Sequence, residues 1–248
     1  MRAGLLLALV VAGCARPPAS EVVVFAASSL TDAYRALGAA FEAAHPGTRV
    51  VFAFAGSQTL RLQIDQGAPA DVFASADATH LEGPRLTGHH TVARNALVII
   101  TPLANPAGVD GLADLPRARR VVLGTPEVPI GRYTAALLDR AAAALGPDFR
   151  ARVEAAVASR EANVRLVRAK VELGEADAAI VYRTDATPRV RVVSVPAAWQ
   201  PTVALLEARL VDAPHPALAD AWLAFTAAPA GQAILRAHGF DEAPPDAR

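Results

Sequence analysis

The regular alternation of short apolar runs with helical patterns is the feature that most constrains the fold of this chain. Residues 21–25 form a strand of the buried type, and a helix-spaced apolar series then runs from Leu30 to Phe41. Further strands are predicted over residues 49–54, 71–74, 96–101, 121–124 and 178–182, and further helices over 57–67, 130–145, 164–173 and 218–238. This alternation predicts an α/β fold in which mostly parallel sheets are covered by helices.

Two apolar segments, residues 96–102 and 190–196, each lead into a loop rich in proline or alanine. If both are hinge strands, residues 98–197 form a second lobe, while residues 21–97 and 198–248 together form the first lobe. Two lobes joined by two strands enclose a cleft, and such clefts are the usual place for a small ligand.

Composition argues against a disordered chain and against a nucleic-acid-binding protein. The chain has 248 residues, 53% of them hydrophobic, which is enough for substantial cores. Its 24 basic and 24 acidic residues cancel, whereas a nucleic-acid-binding protein usually carries a basic excess. We therefore expect no nucleic-acid partner, and we expect the folded body to be a monomer.

The N-terminus has the pattern of an export signal. Arg2 precedes an apolar run over residues 5–11, which is too short to span a bilayer, and the sequence Val-Ala-Gly-Cys at 11–14 resembles a bacterial lipobox. That resemblance implies a signal peptide over residues 1–13, lipid attachment to Cys14 and a tether over 14–20. The protein is then expected outside the cytoplasm and anchored to a membrane. The alternative is an ordinary signal peptide whose cleavage site happens to contain the sole cysteine.

Four predicted helices begin directly after strands or tight loops, near Ser29, Ser57, Ile130 and Val164. The first N–H groups of a helix have no partner within it, and the helix start carries about half a positive charge. Serine hydroxyls at two of these starts add further donors. The arrangement predicts capture of a small oxyanion, although serines at helix starts also serve as ordinary N-caps.

Four motifs give the chain a resemblance to a known family. They are Phe-Ala-Ala-Ser-Ser-Leu-Thr at 25–31, Gly-Ala-Pro-Ala-Asp-Val-Phe-Ala-Ser-Ala-Asp at 67–77, Glu-Val-Pro-Ile-Gly-Arg-Tyr at 127–133 and Gly-Glu-Ala-Asp-Ala-Ala-Ile-Val-Tyr at 174–182. Together they resemble the extracytoplasmic molybdate-binding proteins of ABC importers. The resemblance extends from residue 22 to about residue 240 and implies the two-lobed type II periplasmic-binding-protein fold.

The resemblance also implies a ligand set of two serines, two backbone N–H groups of the second lobe and a tyrosine hydroxyl. Carried over by motif, these are Ser29, Ser57, Ile130, Val164 and Tyr182. Ile130 departs from the small residue expected there and could alter cleft closure, although only its amide is needed. Ser28 stands where alanine is expected and either adds a hydroxyl or caps the helix. From its spacing alone, Tyr182 could equally be a core aromatic residue.

The expected function is a lipid-anchored solute-binding protein that delivers molybdate and tungstate to an ABC permease. It needs no cofactor, and molybdenum binds only as the oxyanion. The same scaffold could instead bind sulfate or phosphate. A serine-dependent hydrolase is less favoured, because neither serine lies in a Gly-x-Ser-x-Gly motif. The three histidines His80, His89 and His90 are expected at the surface, and Asp77 is expected to cap a turn.

Overall fold

The computed structural model describes residues 20–243. The predicted signal peptide, Cys14 and nearly all of the predicted tether lie outside the described residues, so these predictions are not addressed by the fold. No helix in the described part of the chain is long and apolar enough to cross a bilayer.

The described residues form eleven strands and seven α-helices. The strands are β1 (Ser20–Ala27), β2 (Thr48–Ala55), β3 (Val72–Ser75), β4 (Leu86–Asn95), β5 (Leu97–Pro102), β6 (Val121–Gly124), β7 (Val157–Glu161), β8 (Ala178–Tyr182), β9 (Val190–Ser194), β10 (Val203–Leu210) and β11 (Asp241–Glu242). The helices are α1 (Thr31–Ala44), α2 (Ser57–Asp65), α3 (Pro129–Leu145), α4 (Phe149–Ala155), α5 (Val164–Glu172), α6 (Pro216–Ala227) and α7 (Pro229–Ala237).

The strands form two sheets. One has six strands in the order β11-β4-β10-β3-β1-β2, and the other has five in the order β7-β6-β8-β5-β9. We call the parts built on these sheets the first and second lobes. The chain passes between the sheets at Ala96, and again between the end of β9 at Ser194 and the start of β10 at Val203. The predicted lobe boundaries at 97/98 and 197/198 stay a prediction.

The α/β class is as predicted, but the expectation of mostly parallel sheets is wrong in detail. Parallel pairs join β1 to β2 and β3, and join β6 to β7 and β8. The pairings of β4, β5, β9, β10 and β11 are antiparallel. A parallel pair needs a crossover, usually a helix, and α1 supplies it between β1 and β2. The antiparallel pairs join strands that are not consecutive in the chain, so the alternation of strands and helices along the sequence did not reveal them.

The helix pattern that begins at Leu30 is confirmed in α1. Its buried residues include Ala33, Tyr34, Leu37 and Phe41, which face the six-stranded sheet. The single helix predicted over 218–238 is instead two helices. Ala228 adopts an extended conformation (ψ 159°) before Pro229, because a residue that precedes proline is driven out of the helical region.

Strand register places the helix starts. Ala27 pairs with Ala55 at the ends of β1 and β2, so the chain leaves both strands at the same edge of the first sheet. In the second sheet, Gly124 pairs with Glu161 at the ends of β6 and β7, just before α3 and α5. Both pairs of helix starts therefore lie at strand ends, where ligands bind in open α/β sheets.

Candidate anion-binding site

One small cavity lies between the two lobes, and residues of both lobes line it. All six predicted ligand residues line it: Ser28, Ser29, Ser57, Ile130, Val164 and Tyr182. The other lining residues are Ala27, Ala55, Gly56, Ala76, Val128, Pro129 and Asn163. The structure thus brings together residues separated by up to 154 positions, although their role in holding an anion stays a prediction.

The first lobe contributes three serines from two helix starts. Residues Ser28–Leu30 form a 3-10 turn that leads into α1, and α2 begins at Ser57 itself. The buried Oγ of Ser29 has no hydrogen-bond partner within the protein. The Oγ of Ser57 accepts a hydrogen bond from the N–H of Ala76 at 3.1 Å, which leaves its own proton free to donate. Neither serine caps its helix through a side-chain hydrogen bond, so the N-cap alternative is not what the geometry favours.

The second lobe contributes backbone N–H groups. Helix α3 begins at Pro129, and α5 begins at Val164 after Asn163, whose side chain accepts from the N–H of Leu166 at 3.1 Å. A Cβ on Gly131 would collide with the carbonyl oxygen of Thr125, so only glycine lets the first turn of α3 pack this closely. The first N–H groups of each helix, including those of Ile130 and Val164, have no partner one turn earlier.

The bulk of Ile130 is accommodated inside the second lobe. The side chain is 1% exposed, and its Cγ2 lies 2.6 Å from where a Cβ on Gly124 would stand. The absence of a Cβ at Gly124 therefore makes room for the isoleucine that replaces the expected small residue.

Tyr182 ends β8 with its side chain buried and its hydroxyl without a partner in the protein. A tyrosine that belongs only to a core usually finds such a partner. Burial raises the pKa of Tyr182 well above its ordinary value, and the nearby Tyr133 and Asp185 raise it further. The hydroxyl therefore keeps its proton and is a permanent donor.

No lysine or arginine lines the cavity, so its donors are neutral. Instead, charged and amide side chains bridge the lobes at its rim. Nε of Arg165 in α5 donates to the carbonyl of Ser28 at 2.8 Å, and its guanidinium also pairs with Asp32. Nε2 of Gln58 donates to the carbonyl of Ala162 at 2.8 Å. The structure is therefore a closed form, with the lobes in contact around the cavity.

A third bridge corrects the sequence interpretation of Asp77 and His80. The Asp77 carboxylate caps its turn through the N–H of His80 at 3.3 Å, but it also pairs with Arg132 of α3 across the cleft. Burial alone would raise the pKa of Asp77; hydrogen bonds and charges from His80 and Arg132 outweigh it and lower the pKa. His80 is consequently half-buried rather than a surface residue, and its Nδ1 lies 2.8 Å from Asp77.

His90 is also more buried than expected, since its Nε2 lies 3.3 Å from the fully buried Glu207, whereas His89 is exposed as predicted. Across residues 20–243, no cluster of histidine, cysteine and carboxylate side chains is suited to holding a metal ion. Sequence reasoning missed the bridging residues Gln58 and Arg165, although each directly follows a predicted ligand residue in the chain.

Comparisons with known proteins show what the chain is similar to. The family model of bacterial extracellular solute-binding proteins matches residues 22–241. The chain is 39% identical to the molybdate-binding protein ModA of Mycobacterium bovis over 231 residues, which is 90% of this chain and 85% of the relative. It is 34% identical to ModA of Escherichia coli over 199 residues, or 74% of each chain.

Among solved structures, the periplasmic molybdate-binding protein of Azotobacter vinelandii superposes with a TM-score of 0.76 at 22% identity, covering 91% of this chain and all of that one. The sulfate-binding protein SubI of Mycobacterium tuberculosis gives a TM-score of 0.80 at 17% identity, with 91% and 88% covered. At these identities the likeness establishes the fold alone, and it confirms the predicted type II periplasmic-binding-protein architecture.

Proposed function

Because the chain belongs to the bacterial extracellular solute-binding proteins, in their molybdate-binding group, we propose that it captures molybdate between its two lobes. The ligand is the molybdate oxyanion, and no cofactor takes part. Ser29, Ser57 and Tyr182 donate through their hydroxyls, Ile130 and Val164 through their amides, and Ser28 through its amide or hydroxyl.

One observation carries this proposal. The Ser29 and Tyr182 hydroxyls belong to different lobes, line the same cavity and have no hydrogen-bond partner in the protein. A buried donor without a partner costs about 1–3 kcal/mol, so two of them aimed into one cavity indicate an acceptor that the protein itself does not supply.

The neutral lining suits an anion that must be released again. Each hydrogen bond to a charged group contributes about 1.5–3 kcal/mol, so half a dozen donors hold a dianion without a salt bridge. Molybdate and tungstate are larger than sulfate, because their metal–oxygen bonds are longer than sulfur–oxygen bonds. Donors fixed by helix starts on two closed lobes would leave the smaller anion short of some hydrogen bonds. We therefore extend the proposal to tungstate and exclude sulfate.

The closed form provides a basis for delivery. An anion held by both lobes shifts the protein towards closure, and the closed surface is the form that an importer can distinguish. We propose that the partner is an ABC permease and that the protein acts as a monomer outside the cytoplasm, held to the membrane by lipid on Cys14. Mass measurement of membrane-extracted protein should find a diacylglyceryl group on Cys14, and an unmodified N-terminus would refute the anchor.

Catalysis is not favoured. The Ser57 hydroxyl has Ala76 as its partner and the Ser29 hydroxyl has none in the protein, so neither serine has a base to activate it. The relatives described above are solute-binding proteins rather than enzymes.

The test is calorimetry of the mature protein with molybdate, tungstate, sulfate and phosphate. We expect tight binding of the first two and little heat from the others. Ser29→Ala with Ser57→Ala should weaken molybdate binding by several kcal/mol, while Ser194→Ala, an exposed serine of β9, should bind as the wild type does. Equal affinity for sulfate would overturn the assignment to molybdate, and unchanged binding by the double variant would overturn the assigned roles of the two serines.

A further inference from the structure

A buried carboxyl group follows the strand that carries Tyr182. Asp185 belongs to the 3-10 turn Arg183–Asp185 that follows β8, three residues after Tyr182. Its side chain is 1% exposed, and its Oδ2 has no hydrogen-bond partner within the protein. An ionised carboxylate in such a position is costly unless a cation or several donors compensate for the lost water.

The surrounding charged groups do not supply that compensation. From α5, Nη1 of Arg168 donates to the backbone carbonyl of Asp185 at 3.2 Å, and its Nε lies 3.3 Å from Glu172. Arg165 is directed across the cleft to Ser28 and Asp32, and the Asp32 charge repels that of Asp185.

Burial therefore outweighs the attraction of Arg165 and Arg168 and raises the pKa of Asp185 to about 7. The carboxyl group is also electrostatically coupled to Tyr182, whose hydroxyl lines the cavity. A charge placed in the cavity would therefore be felt by Asp185 through a low-dielectric interior.

We propose that Asp185 takes up a proton from solvent when an oxyanion binds, so that the affinity of the cleft depends on pH. This rests on the proposed function. A dianion near Tyr182 disfavours a second negative charge on Asp185, and by linkage an ionised Asp185 weakens binding of the dianion. The only covalent change is the new O–H bond on the carboxylate. Asp185 is a positioning residue that acts through the electrostatics of the site, without contact to the anion.

The expected effect has a definite range. Below about pH 6 Asp185 is already protonated and affinity should be constant. Between pH 6 and pH 8 the molybdate affinity should fall about tenfold. The reason is that each pH unit above the pKa of Asp185 in the free protein lowers the association constant by a factor of about ten. At pH 8 binding should take up about one proton per anion, and at pH 6 close to none.

The experiment is calorimetry with molybdate at pH 6, 7 and 8, each in two buffers of different ionisation enthalpy, which counts the protons taken up. Asp185→Asn, which mimics the neutral carboxyl group, should bind with pH 6 affinity throughout and take up no proton. Asp177→Asn is the matched control, since Asp177 is a buried aspartate of the same lobe paired with Arg120, and it should keep the wild-type pH profile.

His80 is a further polar group near the cleft, beside Asp77, so His80→Gln is included and should also keep the pH dependence. Equal wild-type affinities at pH 6 and 8, or a pH dependence that persists in Asp185→Asn or disappears in His80→Gln, would overturn the inference. These results leave molybdate binding intact and so leave the proposed function standing. No binding at any pH would instead overturn the proposed function and this inference with it.

Discussion

Gly56 allows the two lobes to approach each other closely, because it has no Cβ. It is the N-cap of α2, with φ −64° and ψ 142°, a conformation that alanine adopts without strain. A Cβ placed there would lie 2.5 Å from the carbonyl oxygen of Ala162, which belongs to the second lobe, and equally close to the amide of Gln58. The Gln58 side chain can move away, whereas the backbone carbonyl of Ala162 cannot.

Gly56→Ala should therefore oppose closure with little effect on the fold of either lobe. Relief of the contact requires the lobes to separate by roughly 1 Å, which breaks the Gln58–Ala162 hydrogen bond of 2.8 Å and lengthens the bonds from one lobe to the anion. Loss of one bond to a charged ligand costs about 2–3 kcal/mol, so molybdate affinity should fall about 30- to 150-fold.

Calorimetry with molybdate measures this loss, and thermal unfolding without ligand verifies that stability changes by less than about 1 kcal/mol. Gly111→Ala is the matched control. It is also an N-cap glycine in an extended conformation, and the nearest atom to its added Cβ is 3.9 Å away. Wild-type affinity in Gly56→Ala would refute the idea that binding requires lobes as close as they are here.

Three further outcomes are expected. Tyr182→Phe should weaken molybdate binding about tenfold to a hundredfold in calorimetry, with thermal stability retained, because its hydroxyl has no partner in the protein. Arg132→Ala should speed anion release roughly fivefold in stopped-flow displacement, since it removes the Arg132–Asp77 bridge. The pKa of Asp77 is lowered in the folded protein, so the stabilisation from this bridge is present above the unfolded-state pKa of Asp77. It is lost as pH falls through the folded-state pKa. For Asp185, the folded-state pKa of about 7 exceeds the ordinary 3.8, so the stability that this group contributes should fall by about 3 kcal/mol as pH rises from 4 to 7. Urea unfolding of Asp185→Asn should lack this loss.

The parts of the fold that could be predicted are those set by local sequence. Strands β6 and β8 are short apolar runs between turn signals, and their bounds match the predicted residues 121–124 and 178–182. The start of α5 was predictable because Asn163 is a strong N-cap, and its side chain does bond to the third N–H of the helix region. The ligand residues that line the cavity could be predicted from such helix starts together with the family resemblance.

Strands β4 and β10 were not predicted, because their conformation depends on each other. Residues 86–95 contain Gly88 and two histidines, and residues 203–210 contain Leu, Glu, Ala and Arg, which favour helices as much as strands. The two segments pair antiparallel along most of their length although about 110 positions separate them. The Arg132–Asp77 bridge was missed for the same reason, since 55 positions separate the two residues and no local spacing signals the contact.

The bridges and the unpartnered hydroxyls have opposite effects on closure, and together they make it depend on the ligand. Closing the lobes removes water from the Ser29 and Tyr182 hydroxyls, at about 1–3 kcal/mol each when no anion accepts from them. The Gln58, Arg165 and Arg132 bridges are partly exposed, so each returns only about 0.5–1 kcal/mol. Without an anion, the cost of burying the hydroxyls and the stabilisation from the bridges nearly cancel, so the lobes can open. An anion removes the cost at the hydroxyls and adds its own bonds, so the closed population rises with occupancy, as delivery of a captured solute requires.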